Sequence, residues 1–166
     1  MLVVADTSVL INLAVIGEAQ ILQRLFLVVV APTAVRAEFD QLAARETQFR
    51  GTRWPDWVEV RQPTSVHADL LAGPHGLHAG EREAIALALE LHADLLLIDE
   101  DAGRAAAKAH GLAITGIAGI LLRAKASGLI PSVASVLDRI VDECGFWIGS
   151  AFRDNVLRLA GENPDS

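Results

Sequence analysis

Two short apolar runs that end in an aspartate constrain this chain more than anything else in it. Residues 2–5 (LVVA) run into Asp6, and residues 94–98 (DLLLI) run into Asp99. An apolar run without polar alternation reads as a strand buried on both faces, which belongs to a parallel sheet covered by helices. Residues 27–30 (LVVV) repeat the pattern, residues 112–114 form a shorter version, and residues 57–60 alternate enough for a short strand.

Helical patterns lie between these runs. Val9, Leu10, Leu13 and Ala14 recur at helical spacing, with Thr7 and Ser8 placed to cap them. Gly17 interrupts that pattern, and a second helix is expected over residues 18–25. Pro32 stands where the next helix begins, at about residues 34–44. Glu81 opens the clearest helix, with Ala84, Ile85, Leu87, Ala88 and Leu91 on a broad apolar face. Further helices are expected over residues 102–110, 116–127, 132–143 and 150–160, the first stopped by Gly111 and the third capped by Ser132. Strands alternating with helices specify an α/β chain, a three-layer α/β/α sandwich with a central parallel sheet. The expected organisation is one domain over residues 1–130, with residues 131–166 as a C-terminal helical extension packed on it.

Composition supports a real core. Hydrophobic residues make up 52% of the 166 and charged residues 21%, while aromatics are only 5%, so the core must be aliphatic. No apolar run is long enough to cross a bilayer, and Asp6 arrives too early for a secretory leader, so no membrane association is expected. Cys144 is the only cysteine, which excludes an intrachain disulfide and fits a cytoplasmic setting. The net charge of −7 argues against a general nucleic-acid binder but suits a site that gathers carboxylates around metal.

In a parallel sheet, ligands bind at the carboxyl ends of the strands. Asp6 and Asp99 should therefore emerge on one edge, unless each merely caps the helix that follows it. Glu38 lies one turn into the helix after the second run and Glu81 follows Gly80, and both can face that edge. Several carboxylates in one place cannot all ionise cheaply without a cation, and Mg²⁺ or Mn²⁺ prefers carboxylate oxygens and water. Such a site could activate water for phosphodiester hydrolysis.

The segment VVADTSVLINLA resembles the opening of a PIN domain. PTAVRAEF is similar to that family's second motif, with Glu38 on its acidic position, and GEREAIALALELHADLLLIDED resembles the third and fourth, with Glu81 and Asp99 on theirs. The later ITGIAGILLRAKASGLIPSV is similar to a subgroup of short prokaryotic PIN proteins. The resemblance implies a PIN-like fold and a Mg²⁺-dependent (or Mn²⁺-dependent) endoribonuclease with Asp6, Glu38, Glu81 and Asp99 as catalytic and metal-binding residues. It makes Asp101 an auxiliary metal ligand and Thr7 and Ser8 supporting residues, Ser8 by hydrogen bonding. It further implies the toxin of a toxin–antitoxin pair, VapC-like, acting on RNA, silenced by a small antitoxin protein and working as a homodimer.

Two other readings stand beside it. One is a PIN-like protein-interaction module of little or no activity, which the acidic balance and the lack of a hydroxyl at Ile98 favour. The other is a small-molecule phosphohydrolase, which Ser8 disfavours by standing where a second aspartate would be. His75 and His78 lack the further ligands that zinc needs. No nucleophile elbow, P-loop or glycine-rich dinucleotide loop occurs. Trp54 and Trp57 could stack on bases or simply pack, and Arg36, Arg45, Arg50, Arg53 and Arg61 could form a basic rim or an ordinary solvated face.

Overall fold

The computed structural model describes residues 1–64, 67, 69–70 and 76–165. Residues 72–75, His75 among them, of the loop expected over residues 72–80 lie outside the described residues.

The strands are β1 (Leu2–Ala5), β2 (Val28–Pro32), β3 (Glu59–Arg61), β4 (Leu95–Leu97) and β5 (Ile114–Thr115). They form one sheet in the order β3-β2-β1-β4-β5, and every pairing is parallel. The helices are α1 (Thr7–Val15), α2 (Gln20–Leu25), α3 (Thr33–Arg45), α4 (Ala79–Glu90), α5 (Asp101–Ala109), α6 (Ile117–Ala126), α7 (Val133–Cys144) and α8 (Ser150–Leu159), with a 3₁₀ turn at Thr47–Phe49.

Both faces of the sheet are covered, and the pleat decides which side chain goes where. Successive residues of a strand point to opposite faces. Val3, Ala5, Val29, Ala31, Leu95 and Leu97 join the core built with α1, α2, α6, α7 and α8. Val4, Val30 and Leu96 face the other way, into a second core with Ala84, Ile85 and Leu87 of α4 and Ala107 of α5. That is the three-layer sandwich. Val133, Leu137, Ile140 and Val156 are buried in the same cluster as Val3 and Leu10.

The expected elements are all present, with shifted ends. The strand expected over 57–60 pairs instead at Glu59–Arg61, because its partners are Val30 to Pro32 of β2. It is an exposed edge strand. The fourth helix begins at Ala79 rather than Glu81, which places Glu81 inside the first turn. Ser132 caps α7 as expected, its Oγ accepting from the Ser135 N–H over 3.1 Å. At the C-terminus, Glu162 accepts from the Val133 and Ala134 N–H groups and from Lys125 Nζ, so the chain end is tied to the start of α7.

Candidate functional site

The strand order reverses direction at β1, since β2 and β3 lie on one side of it and β4 and β5 on the other. Open parallel sheets form their binding crevice at such a switch point. Asp6 and Asp99 leave the neighbouring strands β1 and β4 there. The Asp6 N–H donates to the Leu97 carbonyl over 2.9 Å, which continues the β1–β4 ladder into the site.

Asp6 is 4% exposed, and its Oδ1 has no hydrogen-bond partner. Burial pushes its carboxyl up to about 7; the Thr7 backbone N–H opposes this, and Glu81, Glu38 and Glu100 reinforce it. Asp6 occupies the position before α1 but makes no side-chain cap. Capping therefore does not explain why a carboxylate is buried here.

Glu38 comes from α3 and bridges two other elements. Its Oε2 accepts from Thr7 Oγ1 over 2.7 Å and its Oε1 accepts from the Gly80 N–H over 2.8 Å. A Cβ on Gly80 would overlap the Glu38 carboxylate, so this approach requires glycine. Glu81 lies in the first turn of α4, where its Oε2 accepts from the His78 N–H over 3.0 Å. Its Oε1 is buried and unpartnered, and the residue is 3% exposed. Burial raises the Glu81 carboxyl; the His78 N–H lowers it and the neighbouring Glu100 raises it further.

Asp99 accepts the Ile117 N–H through both oxygens, at 3.1 and 3.2 Å. It thereby holds the N-terminus of α6, where the helix dipole favours an anion. Burial nevertheless raises its carboxyl, against the Ile117 N–H and Arg104, with Glu100 adding to the rise. Gly116 leaves no space for a side chain, because a Cβ there would overlap Asp99 Oδ1. Asp101 is exposed in the first turn of α5 and lines the same cavity as Asp6, Glu38, Glu81 and Asp99.

Of the two supporting residues, Thr7 touches an acid and Ser8 does not, and neither caps the helix as was expected of them. Thr7 does not cap α1; its hydroxyl holds Glu38. Ser8 lines the cavity, but its Oγ is buried without a partner, so no hydrogen bond links it to the acids. Trp54 packs edge-on against Phe39 at 5.1 Å, with the Arg36 guanidinium 4.9 Å over its ring. Arg36 also pairs with Asp40 and Arg61 with Glu59. Arg45 lines the cavity.

Sequence reasoning missed Glu100. It precedes α5 at the helix-cap position and lines the cavity, and its charge acts on Asp6, Glu81 and Asp99. Adjacency to Asp99 was the available clue. Trp147 and Phe152, which line the same cavity, were also missed.

The donors here are all hard oxygens, which suits Mg²⁺ or Mn²⁺. A buried carboxylate oxygen without a partner is costly until a proton or a cation satisfies it. Asp6 Oδ1 and Glu81 Oε1 are such atoms, so these residues fit a divalent ion. As the side chains stand, no three or more His, Cys, Asp or Glu among the described residues are grouped to hold one. Backbone hydrogen bonds hold Glu38, Glu81 and Asp99 instead. The cavity has a volume of about 1260 Å³, above the roughly 300–1,000 Å³ of small-molecule sites.

A family model described as PIN domain matches residues 2–162. The searches of curated proteins and of solved structures gave no match.

Proposed function

The chain belongs to the PIN-domain family, whose fold is generally that of a nuclease, and from that premise we propose that it is a Mg²⁺- or Mn²⁺-dependent endoribonuclease. The observation that carries this reading is the pair of buried, unpartnered oxygens, Asp6 Oδ1 and Glu81 Oε1, in one cavity with Glu38, Asp99 and Glu100.

In this reading Asp6, Glu38, Glu81 and Asp99 hold the ion, with Asp101 as an auxiliary. The bound ion would lower the pKa of a water and offset charge on the phosphodiester. Asp6, whose carboxyl stands at about 7 without metal, would give up that proton when it takes the ion. Thr7 and the Gly80 N–H orient Glu38. The Ile117 N–H fixes Asp99, and Arg104 steadies the loop beside it by donating to the Ile98 carbonyl over 3.0 Å. The cavity volume favours a polymer over a small phosphate ester. The roles of antitoxin-silenced toxin and homodimer belong to the same proposal and rest on the motif resemblance; a cytoplasmic setting belongs to it too and rests on the single cysteine. No helix among the described residues is long and apolar enough to cross a membrane.

The test is cleavage of single-stranded RNA by the wild type, Asp6→Asn and Asp99→Asn, with Mg²⁺ and with chelator. Cleavage by the wild type in Mg²⁺ alone is expected. Equal cleavage by the Asn variants would refute the site assignment.

One observation favours a second reading, an interaction module. Glu38, Glu81 and Asp99 already satisfy backbone N–H groups, so they have a structural purpose without metal. An absence of any saturable effect of Mn²⁺ on unfolding would support it.

A further inference from the structure

We propose that Trp147 and Phe152 form a base-stacking platform in the same cavity, which selects RNA that is unpaired beside the scissile phosphate. This rests on the nuclease reading and deepens it.

Trp147 is 85% exposed and Phe152 is 55% exposed, and both line the cavity that holds Asp6, Glu38, Glu81 and Asp99. Trp54 and Trp57, by contrast, are packed against the core. The presentation of Trp147 is built into the chain. Gly145 ends α7 in the left-handed conformation at φ 68, and the chain then runs through Phe146, Trp147 and Ile148 before α8 begins. The Trp147 ring lies over the backbone at Gly149, where a Cβ would meet its Cη2 at 3.5 Å, an ordinary contact. A Trp has only two side-chain torsions to fix when something covers its face.

Charge identifies the occupant's mode of binding. With a net charge of −7 and an acidic pit, the protein gains little affinity from phosphate neutralisation. Arg45 is a single basic contribution to the cavity wall beside Arg104, which is engaged with Ile98. Base stacking on aromatic rings is insensitive to that charge and accepts any base. Bases in a duplex already stack on one another, so the platform takes unpaired nucleotides. The cavity volume leaves room for more than one of them.

The experiment uses the full chain carrying Asp6→Asn in Mg²⁺ buffer, with a short single-stranded RNA containing a fluorescent purine analogue quenched by stacking. Quenching is expected on binding. Adding Trp147→Ala should remove most of it and weaken binding about five- to hundredfold, Phe152→Ala should act in the same direction, and Trp147→Phe should retain most of both. An unlabelled duplex of the same sequence should not displace the labelled single strand. Unchanged binding and quenching in Trp147→Ala would overturn the platform, and is the result expected if these aromatics contact a protein instead. No binding by the parent chain, and none by the wild type in Ca²⁺, would overturn both the platform and the nuclease reading. Stacking without any cleavage by the wild type would support the platform and overturn the nuclease reading alone.

Discussion

The hydroxyl of Thr7 donates to Oε2 of Glu38 over 2.7 Å. The other oxygen of that carboxylate accepts from the Gly80 N–H. One side chain of α3 thus joins the start of α1 to the start of α4, at the edge of the sheet where Asp6 emerges.

Glu38→Ala should therefore lower metal-free stability by about 1–3 kcal/mol, because it leaves a partly buried hydroxyl and an N–H without their acceptor. Glu38→Gln, which keeps an acceptor oxygen, should lose less than half as much. Urea unfolding in chelator measures both; equal losses would remove the bridging role.

Asp6 makes the opposite prediction. Its carboxyl is raised from 3.8 to about 7 in the folded chain, so the folded state holds a proton that the unfolded state gives up. The stability this contributes is fully present below pH 3.8 and is lost as pH rises through about 7. Without metal, Asp6→Asn should be more stable than the wild type at pH 8 by about 2–4 kcal/mol, with the gap closing toward pH 4. Urea unfolding across that range tests it, and a pH-independent difference would contradict the buried-carboxyl account.

Much of this site was legible in the sequence. Asp6 and Asp99 follow apolar runs whose lack of alternation specifies buried parallel strands, and parallel strands deliver their ends to one edge. Placement allowed Glu38 and Glu81 to face that edge, but the motif resemblance was needed to single them out, since the packing of α3 on α4 that brings them together has no local pattern. Ser8 failed as a hydrogen-bonding support because its Oγ is buried away from any partner. Trp147 sits between α7 and α8 in a stretch without periodicity, so nothing in its neighbours indicated exposure. The edge strand was misplaced because pairing with β2, not its own alternation, sets its ends.

Gly116→Ala should separate folding from function. The backbone at Gly116 is extended (φ −108, ψ −170), so alanine brings no strain there. The added Cβ, however, overlaps Asp99 Oδ1, and Asp99 has to give up its place against the Ile117 N–H. RNA cleavage should fall more than tenfold while stability changes by about 1–2 kcal/mol at most. Wild-type activity in the folded variant would show that the position of Asp99 does not matter.

Glu162 governs the acid side. Burial raises its carboxyl, but Lys125, the Ala134 and Val133 N–H groups and Ser132 outweigh burial and hold it at about 2. A depressed carboxyl contributes stability above pH 4.5 that is lost as pH falls toward 2. Glu162→Gln should cost about 1–2 kcal/mol at pH 7 and almost nothing near pH 2. Acid titration of the two proteins, followed by circular dichroism, gives the comparison.

The most direct measurement is thermal unfolding of the wild type and of Asp6→Asn at pH 8, with and without Mn²⁺. An ion that binds only the folded state stabilises it by about 2.7 kcal/mol at a hundredfold excess over Kd, worth roughly 5–10 °C for a chain of this size. The account predicts that Mn²⁺ raises Tm by that amount in the wild type and leaves Asp6→Asn unmoved. The same Mn²⁺ response in both proteins, or none in either, would contradict a metal site built on Asp6.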